Sequence, residues 1–179
     1  ATLMNKVFEV IEAKNIFNLD YNRISILTHP KSYLHAIAKF NNGLTKLLLH
    51  EPDMKIPIYN SIYYNRNEYL KSKSINLDIL NNLELKKVNT KQFPLVKILN
   101  KLPKFSSLYE TAIITINDYF VNSFLKKKLS YTKMIKLIDK LCNHKDILKF
   151  KRIPVKNVEQ IHEIRNYLSL KLENFVYKI

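Results

Sequence analysis

The stretch SLYETAIITINDYFVNSFLKK, residues 107–127, decides the fold class. Leu108, Ala112, Ile116, Tyr119, Phe120, Ser123 and Phe124 recur in it at the three- and four-residue spacing of one helix face. Ser106 or Ser107 can cap its start, and Glu110 completes a capping box, in which hydroxyl and carboxylate each take an orphaned N–H of the first turn. Working outward, the same periodicity predicts helices over 93–102, 131–141 and 158–175. Amphipathic helices joined by short polar connections predict a bundle over 93–179.

Toward the amino terminus the pattern changes. Residues 3–17 predict a helix with Val7, Val10, Ile11 and Lys14 on one side and Asn5, Glu9 and Glu12 on another. RISILT, residues 23–28, is rich in β-branched side chains and stops at His29-Pro30, which predicts a strand. Segments 34–40 and 44–49 flank Asn41-Asn42-Gly43 and predict an antiparallel hairpin. Residues 56–63 predict a short helix with Pro57 near its start. Residues 65–92 read as a polar linker in which LELKKV, 83–88, predicts an edge strand. The expected class is α+β, a partial mixed α/β unit over 1–64 and then the helical bundle.

Composition excludes several function classes. Thirty basic residues against 15 acidic ones leave a net charge of +15, which invites a nucleic-acid reading. Only four of the basic residues are Arg, the side chain suited to bidentate base contacts, so nucleic acid is disfavoured as a partner. The Lys-, Asn-, Ile- and Tyr-rich composition fits an A+T-rich coding sequence instead. The one cysteine, Cys142, excludes an internal disulfide framework. The one glycine, Gly43, excludes a glycine-rich nucleotide loop. No apolar run reaches the roughly 18 residues of a membrane helix, and no signal peptide is visible, so no membrane partner is expected. ATLMNKVFEV lacks an initiator Met and begins inside a helix, so the chain reads as soluble and as a piece of something longer.

Two clusters can carry chemistry. Asn5 and Lys6 set an amide and an ammonium side by side, which can hold a phosphate. Glu9, one turn on, can give an oxygen ligand to Mg²⁺ or Mn²⁺. From spacing alone the same residues read more simply as a solvated face with a Lys–Glu pair three apart. His29-Pro30-Lys31-Ser32, with His35 beyond, sits at a strand end, where functional groups are common. Ser32 and His35 can be read as nucleophile and base, but no orienting Asp and no oxyanion donors are identifiable, and a strand-end turn with a buried His is the simpler reading. Glu51-Pro52-Asp53-Met54 is a turn whose Met reads most simply as core filling.

In order and spacing these segments resemble 1-deoxy-D-xylulose 5-phosphate reductoisomerase. ATLMNKVFEVIEA resembles that family's SATMMNKGLEVIEA helix, HPKSYLHAIAKFNNG its HPQSxVHxxVxxxDGS motif, and EPDMKIPI its PDMRxPI motif. INDYFVNSFL is more loosely similar to a helix of its C-terminal region, ANEVAVEAFL. The resemblance implies conversion of 1-deoxy-D-xylulose 5-phosphate to 2-C-methyl-D-erythritol 4-phosphate in isoprenoid synthesis, with NADPH and Mg²⁺ or Mn²⁺. It implies a homodimer joined through the sheet of the catalytic portion. The implied location is cytoplasmic, and a plastid fits the same residues.

By position, the resemblance implies that Asn5 and Lys6 bind the substrate's phosphate end. It makes Glu9 a metal ligand that thereby also contacts the substrate. Ser32 becomes a substrate-binding residue and His35 a catalytic one, both lining the active site. Pro52 and Met54 fall in the turn beside the nicotinamide. Val7 stands where the family has Gly, Lys31 where it has Gln, Leu44 where it has the DGS serine, and Lys55-Ile56 where it has Arg-Thr. None of these departures removes an implied ligand. The family's Rossmann domain, its other metal carboxylates and its catalytic Lys have no counterpart in these residues. One carboxylate alone holds such a cation weakly, so the segment is expected to be half of an active site and inactive in isolation.

Overall fold

Leu3 and Asn18, both in the left-handed region, bracket the first helix, α1 (Met4–Phe17). The computed structural model describes residues 2–65 and 68–176, with side chains through residue 173. After α1 come a 3-10 turn (Tyr21–Arg23), β1 (Leu27–Thr28), β2 (Leu34–Lys39), β3 (Thr45–Leu49), α2 (Lys55–Ile62), α3 (Leu77–Asn81) and β4 (Lys86–Lys87). A 3-10 helix (Pro94–Lys101) leads into α4 (Leu108–Leu125), α5 (Tyr131–Cys142), α6 (Lys145–Leu148), a 3-10 turn (Lys149–Arg152) and α7 (Val158–Val176). The chain is mostly helical with two antiparallel two-stranded sheets, and the described residues hold no parallel sheet of Rossmann type.

These residues form two compact units, Ala1–Ile26 with Asn89–Ile179, and Leu27–Val88. The units cut across the division expected from the sequence, because α1 belongs with the later helices. Its Met4, Val7, Val10 and Ile11 are buried, and it packs on the 3-10 helix and on α4. An apolar stripe of this kind, at about 1.5–3 kcal/mol per fully buried side chain, goes where an apolar surface is available. Leu95, Val96 and Ile98 offer one.

In the helical unit, α5, α6, α7 and the Lys149–Arg152 turn all pack on α4. Tyr109, Ala112, Ile113, Ile116 and Phe120 of α4 are fully buried, and Thr111, Thr115 and Asn117 are buried between them. A helix surrounded by neighbours is buried nearly all round, beyond the single face its periodicity suggests. The capping box forms as read: Glu110 Oε2 accepts from the Ser107 amide at 3.0 Å and from its hydroxyl at 2.5 Å, and Ser107 Oγ accepts from the Tyr109 amide at 3.2 Å. Residues 94–101 are 3-10 rather than α-helical. Prolines at 94 and 103 confine them to a short piece, and the three-residue repeat puts Leu95 and Ile98 on one buried edge.

In the second unit β2 pairs with β3, and the turn closes with Phe40 N–H donating to the Leu44 carbonyl at 2.9 Å around Gly43 at φ 88°. The expected strand over 23–28 shrinks to Leu27–Thr28, which pairs with Lys86–Lys87 inside the expected edge segment. Ile24 is extended, but an extended segment becomes a strand only where a neighbour pairs with it. None of the described residues of this unit is fully buried.

Two outcomes follow for the folded protein, both readable by chemical methods. Ser107→Ala should lower stability by about 1 kcal/mol and Ile116→Ala by about 2–5 kcal/mol in denaturant titrations. Burial, reinforced by Asp139 and opposed by Lys101, pushes the Cys142 thiol up to about 12. Since the thiolate is the reactive form, Cys142 should resist alkylation by iodoacetamide at pH 8 until denaturant exposes it.

Candidate functional site

The first turn of α1 carries no acidic residue, and its amides are engaged: Met4 N–H donates to Thr2 Oγ1 at 3.3 Å, and the Lys6 and Val7 N–H groups donate to the Leu3 carbonyl at 3.1 and 3.2 Å. With Met4, Val7, Val10 and Ile11 facing inward, helical spacing turns Asn5, Lys6 and Glu9 outward. Lys6 Nζ donates to both oxygens of Glu9, at 3.0 and 2.7 Å, so the Lys–Glu pair three residues apart is formed. Asn5 and Glu9 line a cavity of about 340 Å³ together with Phe8, Ile11, Glu12 and Ile114. Two carboxylates on its wall favour a cation over an anion there, while the amide and ammonium of Asn5 and Lys6 suit the anion. The far end of α1 is fastened: Lys14 Nζ donates to Ser106 Oγ at 3.3 Å, and Ser106 Oγ donates to Asn15 Oδ1 at 2.8 Å.

The other predicted residues lie in the second unit. Ser32 sits at φ 52° in the turn before β2, a strained position for a residue with a side chain. The strand register runs from Leu34↔Leu49 to Ala36↔Leu48, so His35 is the extra residue of a β-bulge. Bulges re-aim side chains, and here the His35 ring stacks on His50 with centroids 3.6 Å apart and planes 5° off parallel. His35 Nε2 lies 3.3 Å from the His50 carbonyl oxygen, and His50 Nδ1 lies 2.5 Å from that of Glu51. A carbonyl only accepts, so these contacts place the protons on Nε2 of His35 and Nδ1 of His50. His29 is held at the same strand end through Nε2, which is 3.1 Å from both the Leu34 oxygen and the Leu34 nitrogen. Pro52 and Met54 flank Asp53, whose carboxylate accepts from the Lys55 amide at 2.9 Å and starts α2. Met54 is 63% exposed, so it fills no core within this unit.

His50 is the partner that sequence reading misses. A regular register that pairs Leu34 with Leu49 sets position 35 opposite 48 and 33 opposite 50, so the meeting of His35 with His50 comes with the bulge, which nothing in the hairpin pattern announces. Among the described residues no group of three or more His, Cys, Asp or Glu side chains is placed to hold a metal ion. Glu9 has the hard oxygen chemistry that Mg²⁺ takes and fits as one ligand of a larger set. No helix of the described residues is long and apolar enough to cross a membrane.

A family model described as the DXP reductoisomerase C-terminal domain matches residues 49–168. The 1-deoxy-D-xylulose 5-phosphate reductoisomerase of Pelagibacter ubique is 51% identical over 174 residues, 97% of this chain and 45% of that protein. The reductoisomerase of Sulfurihydrogenibium sp. is 34% identical over 138 residues, 77% of this chain and 37% of that protein. A crystal structure of DOX-P reductoisomerase with fosmidomycin and magnesium matches with a TM-score of 0.82 at 25% identity, over 99% of this chain and 45% of that one. Another, in complex with NADPH, fosmidomycin and magnesium, matches at 0.78 and 27% identity, over 93% of this chain and 42% of that one. This chain therefore spans less than half the length of the relatives it matches. It belongs to the 1-deoxy-D-xylulose 5-phosphate reductoisomerase family and corresponds to the C-terminal portion of its members.

Proposed function

We propose that this chain supplies one part of the active site of an enzyme that converts 1-deoxy-D-xylulose 5-phosphate to 2-C-methyl-D-erythritol 4-phosphate in non-mevalonate isoprenoid synthesis, using NADPH and Mg²⁺ or Mn²⁺. The observation that carries this reading is the outward face of α1, where Asn5, Lys6 and Glu9 stand above a buried stripe that fixes their direction. Asn5 and Lys6 grip the phosphate of the substrate through a side-chain amide and an ammonium. Binding energy gathered there, remote from the reacting carbons, positions the rest of the molecule.

Glu9 gives one oxygen to the divalent cation, and further ligands come from residues that correspond to the earlier part of the relatives. When bound, the cation supplies polarisation of the substrate's ketone and adjacent hydroxyl for the carbon–carbon rearrangement. NADPH supplies the hydride. Ser32 offers a hydroxyl to the substrate, and His35 is held by its stacking on His50 as a group facing the reaction. Pro52 and the exposed Met54 form the wall beside the nicotinamide. The whole protein works as a cytoplasmic homodimer, and this segment alone is inactive. The charge of +15 is then a property of composition, since a Lys-rich nucleic-acid module would leave the arrangement on α1 without a purpose.

The test uses the complete protein that contains this chain, assayed for NADPH oxidation with 1-deoxy-D-xylulose 5-phosphate. Turnover should require Mg²⁺ or Mn²⁺ and should fall by at least about 100-fold in Glu9→Gln, beyond the upper range seen when only an outer-shell partner is lost. Lys6→Ala should raise KM and lower kcat together. No turnover from a well-folded complete wild-type protein would refute the reading, and so would full activity in Glu9→Gln.

A further inference from the structure

We propose that the Lys6–Glu9 ion pair couples cation binding to phosphate binding, so that each ligand releases the side chain the other needs. This rests on the assignment of Lys6 to phosphate and Glu9 to the cation made above. The ammonium of Lys6 lies 3.0 and 2.7 Å from the two oxygens of Glu9, and so occupies the lone pairs that a divalent cation would use. A cation arriving at Glu9 competes with that ammonium for the same oxygens and repels it. Once displaced, Lys6 has all its N–H donors free for phosphate oxygens. In the other direction, phosphate bound to Lys6 draws the ammonium away and uncovers the carboxylate.

The size of the effect follows from the setting of the pair. Both side chains are about half exposed, 44% for Lys6 and 53% for Glu9, so the pair is a weak, readily exchanged one. Breaking such a pair once, rather than twice, makes the second ligand bind about two- to five-fold tighter. Linkage makes the factor the same whichever ligand binds first. Lys14 provides an internal comparison: it lies two turns further along α1, and its ammonium is engaged with Ser106 Oγ and Asn15 Oδ1 rather than with Glu9.

The experiment measures Mn²⁺ affinity by electron paramagnetic resonance and inorganic phosphate affinity by calorimetry, in the complete protein. Saturating phosphate should lower the Mn²⁺ dissociation constant by about two- to five-fold, and Mn²⁺ should lower the phosphate constant by the same factor. Lys6→Met should tighten Mn²⁺ by a similar factor without phosphate, and phosphate should then add nothing. Lys14→Gln, which removes the same charge without touching Glu9, should shift Mn²⁺ affinity by less than about two-fold. Unchanged or weaker Mn²⁺ binding in Lys6→Met overturns the coupling, as does an equal gain in Lys14→Gln, which would mean bulk charge alone. Mn²⁺ affinity unaffected by Glu9→Gln, or phosphate affinity unaffected by Lys6→Met, would instead overturn the site assignment beneath it.

Discussion

The amino terminus of α4 is the point on which the helical unit depends. Glu110 is a nearly buried carboxylate, and it survives there because it accepts from both the amide and the hydroxyl of Ser107 at the positive end of a helix. Its other oxygen and the Tyr21 hydroxyl are both buried without a hydrogen-bond partner of good geometry. Burial, with the charge of Glu110 added, holds that phenol well above its ordinary range, so it stays neutral at every physiological pH. Around this cap the chain is stitched together: Leu108 N–H donates to the Ile153 carbonyl at 2.9 Å and Val155 N–H to that of Ser106 at 3.1 Å. The Tyr109 hydroxyl reaches the Cys142 carbonyl at 2.9 Å, tying the start of α4 to the end of α5.

The same corner reaches the site. Ser106, one residue before the cap, bonds Lys14 and Asn15 near the end of α1. The helix that presents Asn5, Lys6 and Glu9 is thus held at one end by hydrogen bonds and along its length by its buried stripe. Polar groups that must reach a ligand gain little from packing of their own. Their precision comes from the rigidity of the element beneath them. In this chain that element is α1 docked on a bundle, which explains why residues so far apart in sequence form one unit.

What could be read from residues alone follows from how local each determinant is. The capping box, the period of α4 and the Asn-Asn-Gly turn are each written within a few positions, and each formed as expected. The outward direction of Asn5 and Glu9 was legible for the same reason, since it needs only a helix and a buried stripe. The companionship of α1 with the bundle was not legible, because an apolar stripe does not say which surface will cover it. The bulge at His35 and the stacking on His50 depend on a register fixed by pairing between strands. The short α3 and α6 are below the length at which periodicity carries a signal, and residues 94–101 show an apolar edge that suits either helix type.

The chain leaves the helical unit after Ile26 and returns at Asn89, so the hairpin unit is an excursion closed at both ends by the same body. For a flexible excursion, loop-closure entropy grows only with the logarithm of length, about 0.6 kcal/mol for each doubling. The docking of α1 is therefore nearly indifferent to how many residues the excursion contains. Turns such as Asn41-Asn42-Gly43 belong to the hairpin unit and lie outside the buried stripe of α1, so the helix that carries Glu9 takes its seat from contacts they do not make.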